Sequence, residues 1–324
     1  MTPADDGFPP FSLLIGTKDG FYTFDCDGRL EATPVTSALA GHAVRGIAVH
    51  PDDRSRLYVG CGLPGFGLHE TGDGGRTFRE IAFGDRWVWD VWLHPATYEL
   101  WAGTEPPMLF RARRGADGFT PCEQIDSLSS RPRWSFFHPP FYAGHIHGIA
   151  AHPERPERIF AGVEHGALVF THDDGETWHE TFVGGDLHRV AVDPQDPDRV
   201  LAGTGVGLFV SSDAGTSWSP RPVLAGYVHS ILFDPRRPRR MFVYTGGLHR
   251  SDDAGRTWQT IGDGLPGAGP VDSLALDPSG AVLVYGAGAD GVFASLDAGD
   301  SWRRVELDVP RIWRLQTAAP LEAA

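Results

Sequence analysis

Five copies of one short phrase punctuate the 324-residue chain. They read Thr71-x-Asp73-x-Gly75-x-Thr77-Phe78, Thr171-x-Asp173-x-Gly175-x-Thr177-Trp178, Ser211-x-Asp213-x-Gly215-x-Ser217-Trp218, Ser251-x-Asp253-x-Gly255-x-Thr257-Trp258 and Ser295-x-Asp297-x-Gly299-x-Ser301-Trp302. Their aspartates stand 100, 40, 40 and 44 residues apart. Such a period means that one small supersecondary unit is stacked on copies of itself, because a single unit cannot bury its apolar face alone. The chemistry of the phrase is local. Asp accepts hydrogen bonds from backbone N–H groups just ahead of it, and Gly supplies a positive φ. The aromatic residue then packs as an apolar plug. The phrase is a turn lock between two strands, and its aspartates serve structure first.

A second phrase recurs between the first set. It reads VRGIAVHP (44–51), VWDVWLHP (88–95), IHGIAAHP (146–153), LHRVAVDP (187–194), VHSILFDP (228–235) and VDSLALDP (271–278). Period-2 alternation marks a strand, and the His/Asp-Pro pair ends its ladder. A third phrase follows each: LYVGCG, LWAGTE, IFAGVE, VLAGTG, MFVYTG and VLVYGA. The head of the chain carries an unmatched third phrase, LLIGTKDG (13–20), and the tail an unmatched first strand, RIWRLQTAAP (311–320). Joined, they complete a seventh unit. The expected fold is all-β: a single seven-bladed β-propeller over 1–324, with four-stranded blades, closed by pairing of the N- and C-terminal strands so that no sheet edge is left open. Six blades with loose termini is the rival.

The repeated phrase resembles the Asp-box, or BNR, repeat, Ser/Thr-x-Asp-x-Gly-x-Thr/Ser-Trp/Phe. The chain is therefore similar to the Asp-box propellers, which include sialidase-like proteins, photosystem assembly factors and sortilin-like receptors. The resemblance implies the propeller fold and places the boxes on the face away from the active site. It does not carry a sialidase site with it. Sialidases need three arginines, a Tyr nucleophile with a Glu partner and an early Arg-Ile-Pro phrase. Here Pro310-Arg311-Ile312 has the wrong order near the end, and Arg45, Arg86, Arg189 and Arg314 form no clean triad.

In a propeller the first strand of each blade lines the axis, and equivalent positions form a ring. The second position of the octets reads Arg45, Trp89, His147, His188, His229 and Asp272, with Trp313 added by the tail. The box joins the third and fourth strands, so the first strand starts at the opposite face. The turn between second and third strands lies there too, and carries Lys18, Glu105, Glu164 and His165. His145 enters the same mouth. Mouths of this kind commonly bind ligands. His147, His188, His229 and Asp272 make a first shell suited to a divalent transition metal (Fe, Mn, Zn, Cu or Ni). A metal-free pocket fits as well, with a histidine as base and Arg45 or Lys18 holding an anion. So does a structural role in which the imidazoles bond backbone carbonyls. His50, His94 and His152 fall in the His/Asp-Pro turns, whereas His69, His172 and His249 neighbour the boxes and are expected to be exposed.

Residues 111–144 break the period. The segment holds Trp134, Phe136, Phe137, His138, Phe141 and Tyr142 beside Arg131 and Arg133. Long insertions in compact repeats are usually functional or disordered, and this one is too aromatic for a linker. It is expected to form a lid, with Trp134 and Tyr142 walling the mouth; the alternative is a surface loop packed on the outer blade edge. The net charge of −14 speaks against a nucleic-acid partner or an anionic membrane surface. The start MTPADDGFPP lacks a signal-peptide pattern, no stretch reaches the length of a span, and Cys26, Cys61 and Cys122 form no disulfide framework. Cytoplasm is the expected compartment. Two functions follow. One is a small-molecule enzyme (hydrolase, lyase or metal-dependent oxidase type) acting on a polar or anionic substrate at the mouth. The other is a non-catalytic scaffold, whose mouth would be filled by apolar groups such as Trp89 and Trp313.

Overall fold

Seven four-stranded antiparallel sheets follow one another around an axis. The structure, a computed structural model, describes residues 8–135, 143–263, 265–266 and 272–321. Blade 1 takes its inner strand from the tail, Ile312–Ala318, and its other three from the head, Phe11–Thr17, Gly20–Cys26 and Ala32–Ala38. The two ends meet in an antiparallel ladder in which Ser12 faces Ala318 and Leu14 faces Gln316. Blades 2 to 7 are consecutive, with inner strands Val44–Val49, Trp87–Leu93, His145–His152, Leu187–Asp193, Val228–Phe233 and Asp272–Leu276. Each inner strand touches the next, and the last touches the first, so the ring is closed. No helix among the described residues is long and apolar enough to cross a membrane.

The blades are joined by a repeated contact. The glycine of the third phrase, on the second strand of a blade, receives the first apolar residue of the next blade's inner strand. A Cβ on Gly16 would lie 2.8 Å from Val44 Cγ1, and on Gly203 it would lie 2.7 Å from Val228 Cγ1. On Gly103 it would lie 2.2 Å from the Ile146 carbonyl oxygen, and on Gly286 3.4 Å from Ile312 Cγ2. Apolar clusters fill the spaces between sheets around the ring, with Trp101, Phe160, Phe242 and Tyr285 fully buried. Cys26 and Cys61 are buried within it, and all three cysteines are unpaired.

The five repeated turns are built alike. In blade 5, the Ser211 hydroxyl donates to Asp213 at 2.7 Å and accepts from the Gly215 N–H at 2.8 Å. Asp213 accepts from the N–H and the hydroxyl of Ser217 at 2.8 and 2.6 Å. The Gly215 backbone has φ +88°, and a Cβ there would lie 2.9 Å from Phe160 of blade 4, so the glycine serves both turn and packing. Trp218 closes the turn by donating to the Gly215 carbonyl at 2.9 Å. These hydrogen bonds hold the Asp173 and Asp213 carboxyls at about 2, below their ordinary range.

The His/Asp-Pro turns show why the two residues interchange. Nδ1 of His94 accepts from the N–H groups of Ala96 and Thr97 at 3.1 Å, and Nδ1 of His152 from Glu154 at 3.1 Å. The Asp193 and Asp234 carboxylates accept from Gln195 and Arg236 in the same way at 2.9 Å. The histidines beside the repeated turns differ from expectation. His69 is buried and lies 3.1 Å from the Phe66 carbonyl, and His172 and His249 are half-buried.

The insertion is also revised. Its described part, residues 111–135 and 143–144, packs between blades 3 and 4, from the outer strand of blade 4 at Glu180 to the turns at Pro107 and Gly166. Blade 3 ends in a two-residue fourth strand, Thr120–Pro121, and two 3-10 turns at Glu123–Ser127 and Arg131–Arg133 follow it. Ile125 and Trp134 are buried with Trp101 and Leu109, and the Trp134 indole donates to Ser130 at 2.7 Å. The Ser129 and Ser130 hydroxyls bond Glu180 on the outer strand of blade 4. Trp134 is therefore a core plug, because its large apolar ring finds more surface to bury between blades than at a polar mouth. Phe136, Phe137, His138, Phe141 and Tyr142 lie outside the described residues. Truncating Trp134, 5% exposed, to Ala should destabilise the fold by about 3–5 kcal/mol, read as a shift of the urea midpoint. A near-neutral result would show that this segment is not part of the core.

The blade seam gives a paired test. Gly103→Ala drives a methyl into backbone and should cost about 2–3 kcal/mol or more, whereas Gly286→Ala, at ordinary contact distance, should cost well under half of that. Equal losses in urea unfolding would refute the seam as the limiting contact.

Candidate functional site

A register shift aims the ring residues. Pairing of inner with second strand slips between Val44 and Gly46, Val88 and Asp90, Leu187 and Arg189, and Val228 and Ser230. The skipped residues are Arg45, Trp89, His188 and His229. Each is the extra residue of a β-bulge, a device that turns a side chain out of the pleat and recurs near functional sites.

Blades 1 to 3 fill their side of the mouth with one cation between two indoles. The Arg45 guanidinium carbon lies 4.5 Å from the Trp89 ring centre and 3.9 Å from that of Trp313. Arg45 Nε donates to the Gly62 carbonyl at 3.1 Å. Burial lowers the Arg45 pKa to about 10, opposed by the charges of Glu164 and Glu105. The Trp89 indole donates to Glu105 at 3.1 Å and stacks on His145 with centres 3.8 Å apart.

Blades 4 and 5 supply a carboxylate–imidazole cluster around Glu164. Its Oε2 lies 2.7 Å from His145 Nε2, 3.3 Å from His147 Nε2 and 3.9 Å from His188 Nδ1. His188 Nε2 lies 3.2 Å from Asp186, and His165 reaches the other Asp186 oxygen at 3.8 Å. Nε2 of both His147 and His188 is buried and out of line for a hydrogen bond with its neighbour. Burial alone would raise the Glu164 carboxyl, but the His145 and His147 rings beside it hold it far below the carboxylate range. Burial pushes His145 down to about 4, against the pull of Glu164. His229 is also held at about 4, by burial and by the charges of His188 and Arg189.

Two trios have cation-sized spacing: His145, His147 and Glu164, and Glu164, Asp186 and His188. In each trio the ligand atoms lie within 4.8 Å of one another. Of the four residues expected to hold a metal, His147 and His188 fall in these trios. His229 faces aromatic rings instead, 5.8 Å from Tyr227 and 6.4 Å from Tyr244, and belongs to neither trio. The Asp272 backbone is placed opposite Ala287, and its side chain lies outside the described residues. His145, Glu164 and Asp186 complete the two trios. Glu105 is buried beside His145, 3.6 Å from its Nδ1. Lys18 is exposed at the turn of blade 1 and makes no hydrogen bond or ion pair through its side chain among the described residues.

Asp186 and Tyr227 were missed by reading the octets alone. They occupy the residue just before each octet, the place that His145 takes in blade 4. In a strand this position and the ring position share a face, so period 2 was the available signal. The rim is partly apolar: Phe66, Val206 and Tyr227 are 44%, 73% and 51% exposed.

No protein-family model matches the chain, and no curated protein matches it. Solved structures do resemble it. The GH74 xyloglucanase of Xanthomonas campestris is 18% identical, with a TM-score of 0.64 over 96% of this chain. This chain spans about half of that enzyme, 54% of its length. YCF48 of Cyanidioschyzon merolae is 16% identical, with a TM-score of 0.56 over 82% of this chain and 85% of the other. A YCF48 structure bound to D1 peptide is 16% identical, with a TM-score of 0.53 over 92% and 86%. The class these likenesses define is the β-propeller, here with seven blades. At such identity what is shared is the fold.

The depressed histidines set the acid response. The unfolded chain takes up protons on His145 and His229 near 6.5, and the folded chain does so only near 4. Their contribution is thus complete above about pH 6.5 and is lost as pH falls toward 4. Urea midpoints measured across that window should fall, and His229→Asn should flatten the fall. An unchanged slope in the variant would sink the assignment.

Proposed function

We propose that this chain is an enzyme acting on a small polar or anionic molecule at the axial mouth, with a divalent transition cation held by Glu164 and its imidazoles. The carrying observation is that one half-buried carboxylate is met by three imidazoles within 3.9 Å, beside a second carboxylate, Asp186. Mixed imidazole and carboxylate donors suit Zn, Fe or Mn. Such a cation would polarise a substrate oxygen or lower the pKa of a bound water. The protein side of the chemistry is hydrolysis or β-elimination. His145 is kept neutral by burial and is oriented by Glu164 and the Trp89 stack. His229, neutral and half-buried, is placed to accept a proton. Arg45, clamped between indoles, supplies fixed positive charge for an anionic group at the entrance.

The test is element analysis of untagged protein. About one equivalent of metal is expected, lost in Glu164→Gln and retained in His229→Ala, because His229 lies outside both trios. Protein that holds no metal as purified and binds none of Zn, Mn, Fe(II), Ni or Cu on loading overturns the reading.

One observation favours a second reading, an assembly scaffold. Val206 and Tyr227, on neighbouring blades 5 and 6, and Phe66, on blade 2, are exposed apolar residues at the mouth-face turns, and exposed apolar patches mark interaction surfaces. The Arg45–Trp89–Trp313 stack also fills part of the mouth, as a scaffold would. Binding of a peptide that Tyr227→Ser abolishes, in protein without metal, would favour it. The resemblance of the repeated turns to the Asp-box agrees with either reading.

A further inference from the structure

One residue beyond the ring, the inner strands carry a second belt: Gly46, Asp90, Gly148, Arg189, Ser230, Ser273 and Arg314. Three of its members, Asp90, Ser230 and Ser273, stitch one inner strand to the next. Asp90 accepts from the N–H groups of Gly148 and Ile149 at 2.8 and 3.1 Å, and from its neighbour Val91 at 3.0 Å. Ser230 accepts from the Leu274 N–H at 3.3 Å, and Ser273 from the Leu315 N–H at 3.2 Å. Gly46 and Gly148 instead let the next strand's backbone abut them, with a built Cβ 2.7 Å from Val91 N and 3.0 Å from Val190 N.

Arg189 and Arg314 break this pattern. Arg314 reaches Asp90 at 3.5 Å, yet its Nε is buried without a partner. Arg189 makes no side-chain hydrogen bond or ion pair among the described residues. The two guanidinium groups feel each other's charge and share the single carboxylate of Asp90, which is already taken by three backbone N–H groups. The belt therefore holds an uncompensated positive charge inside a protein of net charge −14. Both side chains are half-buried, and a guanidinium partly withdrawn from water without a full partner is unfavourable. Both arginines line one cavity of about 420 Å³, which extends past Ser230, Ser273 and Gln316 to the Pro235 and Pro278 turns at the face opposite the mouth, where the one lining carboxylate, Asp277, is engaged by the Ser279 and Val282 N–H groups. That volume is ample for a tetrahedral or planar oxyanion with its water, and guanidinium forks match such anions.

We propose that Arg189 and Arg314 form an anion site in the propeller axis, separate from the imidazole mouth and open to the opposite face, that takes a small oxyanion of phosphate, sulfate or carboxylate type.

The test is calorimetric titration of the full chain, freed of metal with EDTA, with inorganic phosphate, sulfate and acetate in separate arms at low ionic strength. The expected result is saturable binding near one equivalent for at least one anion, with the arms ranking the oxyanion geometry. Arg189→Gln and Arg314→Gln should each weaken it about tenfold or more, while Glu164→Gln leaves it unchanged, which separates this site from the mouth. If a glutamine variant does not fold, Arg189→Lys keeps the charge but loses the fork and should weaken binding several-fold. A thermal readout adds an independent arm. In anion-free buffer Arg189→Gln should raise the midpoint by removing the uncompensated charge, and phosphate should raise it only in the parent. No saturable binding of any of the three anions at millimolar concentration, or undiminished binding in both arginine variants, overturns the proposal.

Discussion

The ring depends on one contact made over and over: a glycine of one blade's second strand against the first apolar residue of the next blade's inner strand. Where the glycine is present, backbones approach to a distance that no side chain would allow, as at Gly103 against Ile146. That approach brings neighbouring inner strands close enough to share hydrogen bonds through Asp90 and Ser273. Blade 6 has Tyr244 in place of the glycine and makes the step differently, by stacking Tyr244 on Tyr285 of blade 7 with ring centres 5.4 Å apart. The repeated turns act on the outer part of the same seam. Gly215 sits against Phe160, and Gly299 against Ile261, of the preceding blade.

A tight ring leaves a narrow axis, and the bulges decide what enters it. In a regular strand, consecutive residues face opposite sides. The slip before Gly46, Asp90, Arg189 and Ser230 turns two successive residues toward the axis. The axis thus carries two layers of different chemistry. The upper layer has imidazoles, carboxylates and the Arg45 sandwich. The lower layer has hydroxyls, one carboxylate and two arginines. Polar groups of both signs are stacked within a few residues of strand, in a setting where charges are poorly screened.

That stacking explains the titration of the mouth. Desolvation pushes His145 and His229 toward the neutral form, and Glu164 keeps its charge because the imidazoles around it solvate it in place of water. Neutral imidazole beside ionised carboxylate is the protonation state that a cation requires of its ligands. It equally suits a proton acceptor. The acidic exterior and the basic lower axis are two features of one charge distribution, and a net charge alone conceals the second.

The sequence by itself determined the number of blades, the closure of head on tail, the turn locks and the ring of Arg45, Trp89, His147, His188, His229 and Trp313. These follow from a period near 40 and an alternation of 2, which are properties of the linear chain. Even the interchange of His94 with Asp193 could be read there, since each bonds its own turn. Tertiary structure alone decided which ring members meet. Glu164 lies on the second strand of blade 4, so its reach to His188 of blade 5 depends on the angle between sheets. Trp134 turned inward because burial between blades 3 and 4 outweighed any role at the mouth. Arg314 and Asp90 are 224 residues apart in the numbering and meet only across the axis. Periodicity names the face on which a side chain lies. The distance between side chains from different blades is set by inter-sheet packing, which no single strand encodes.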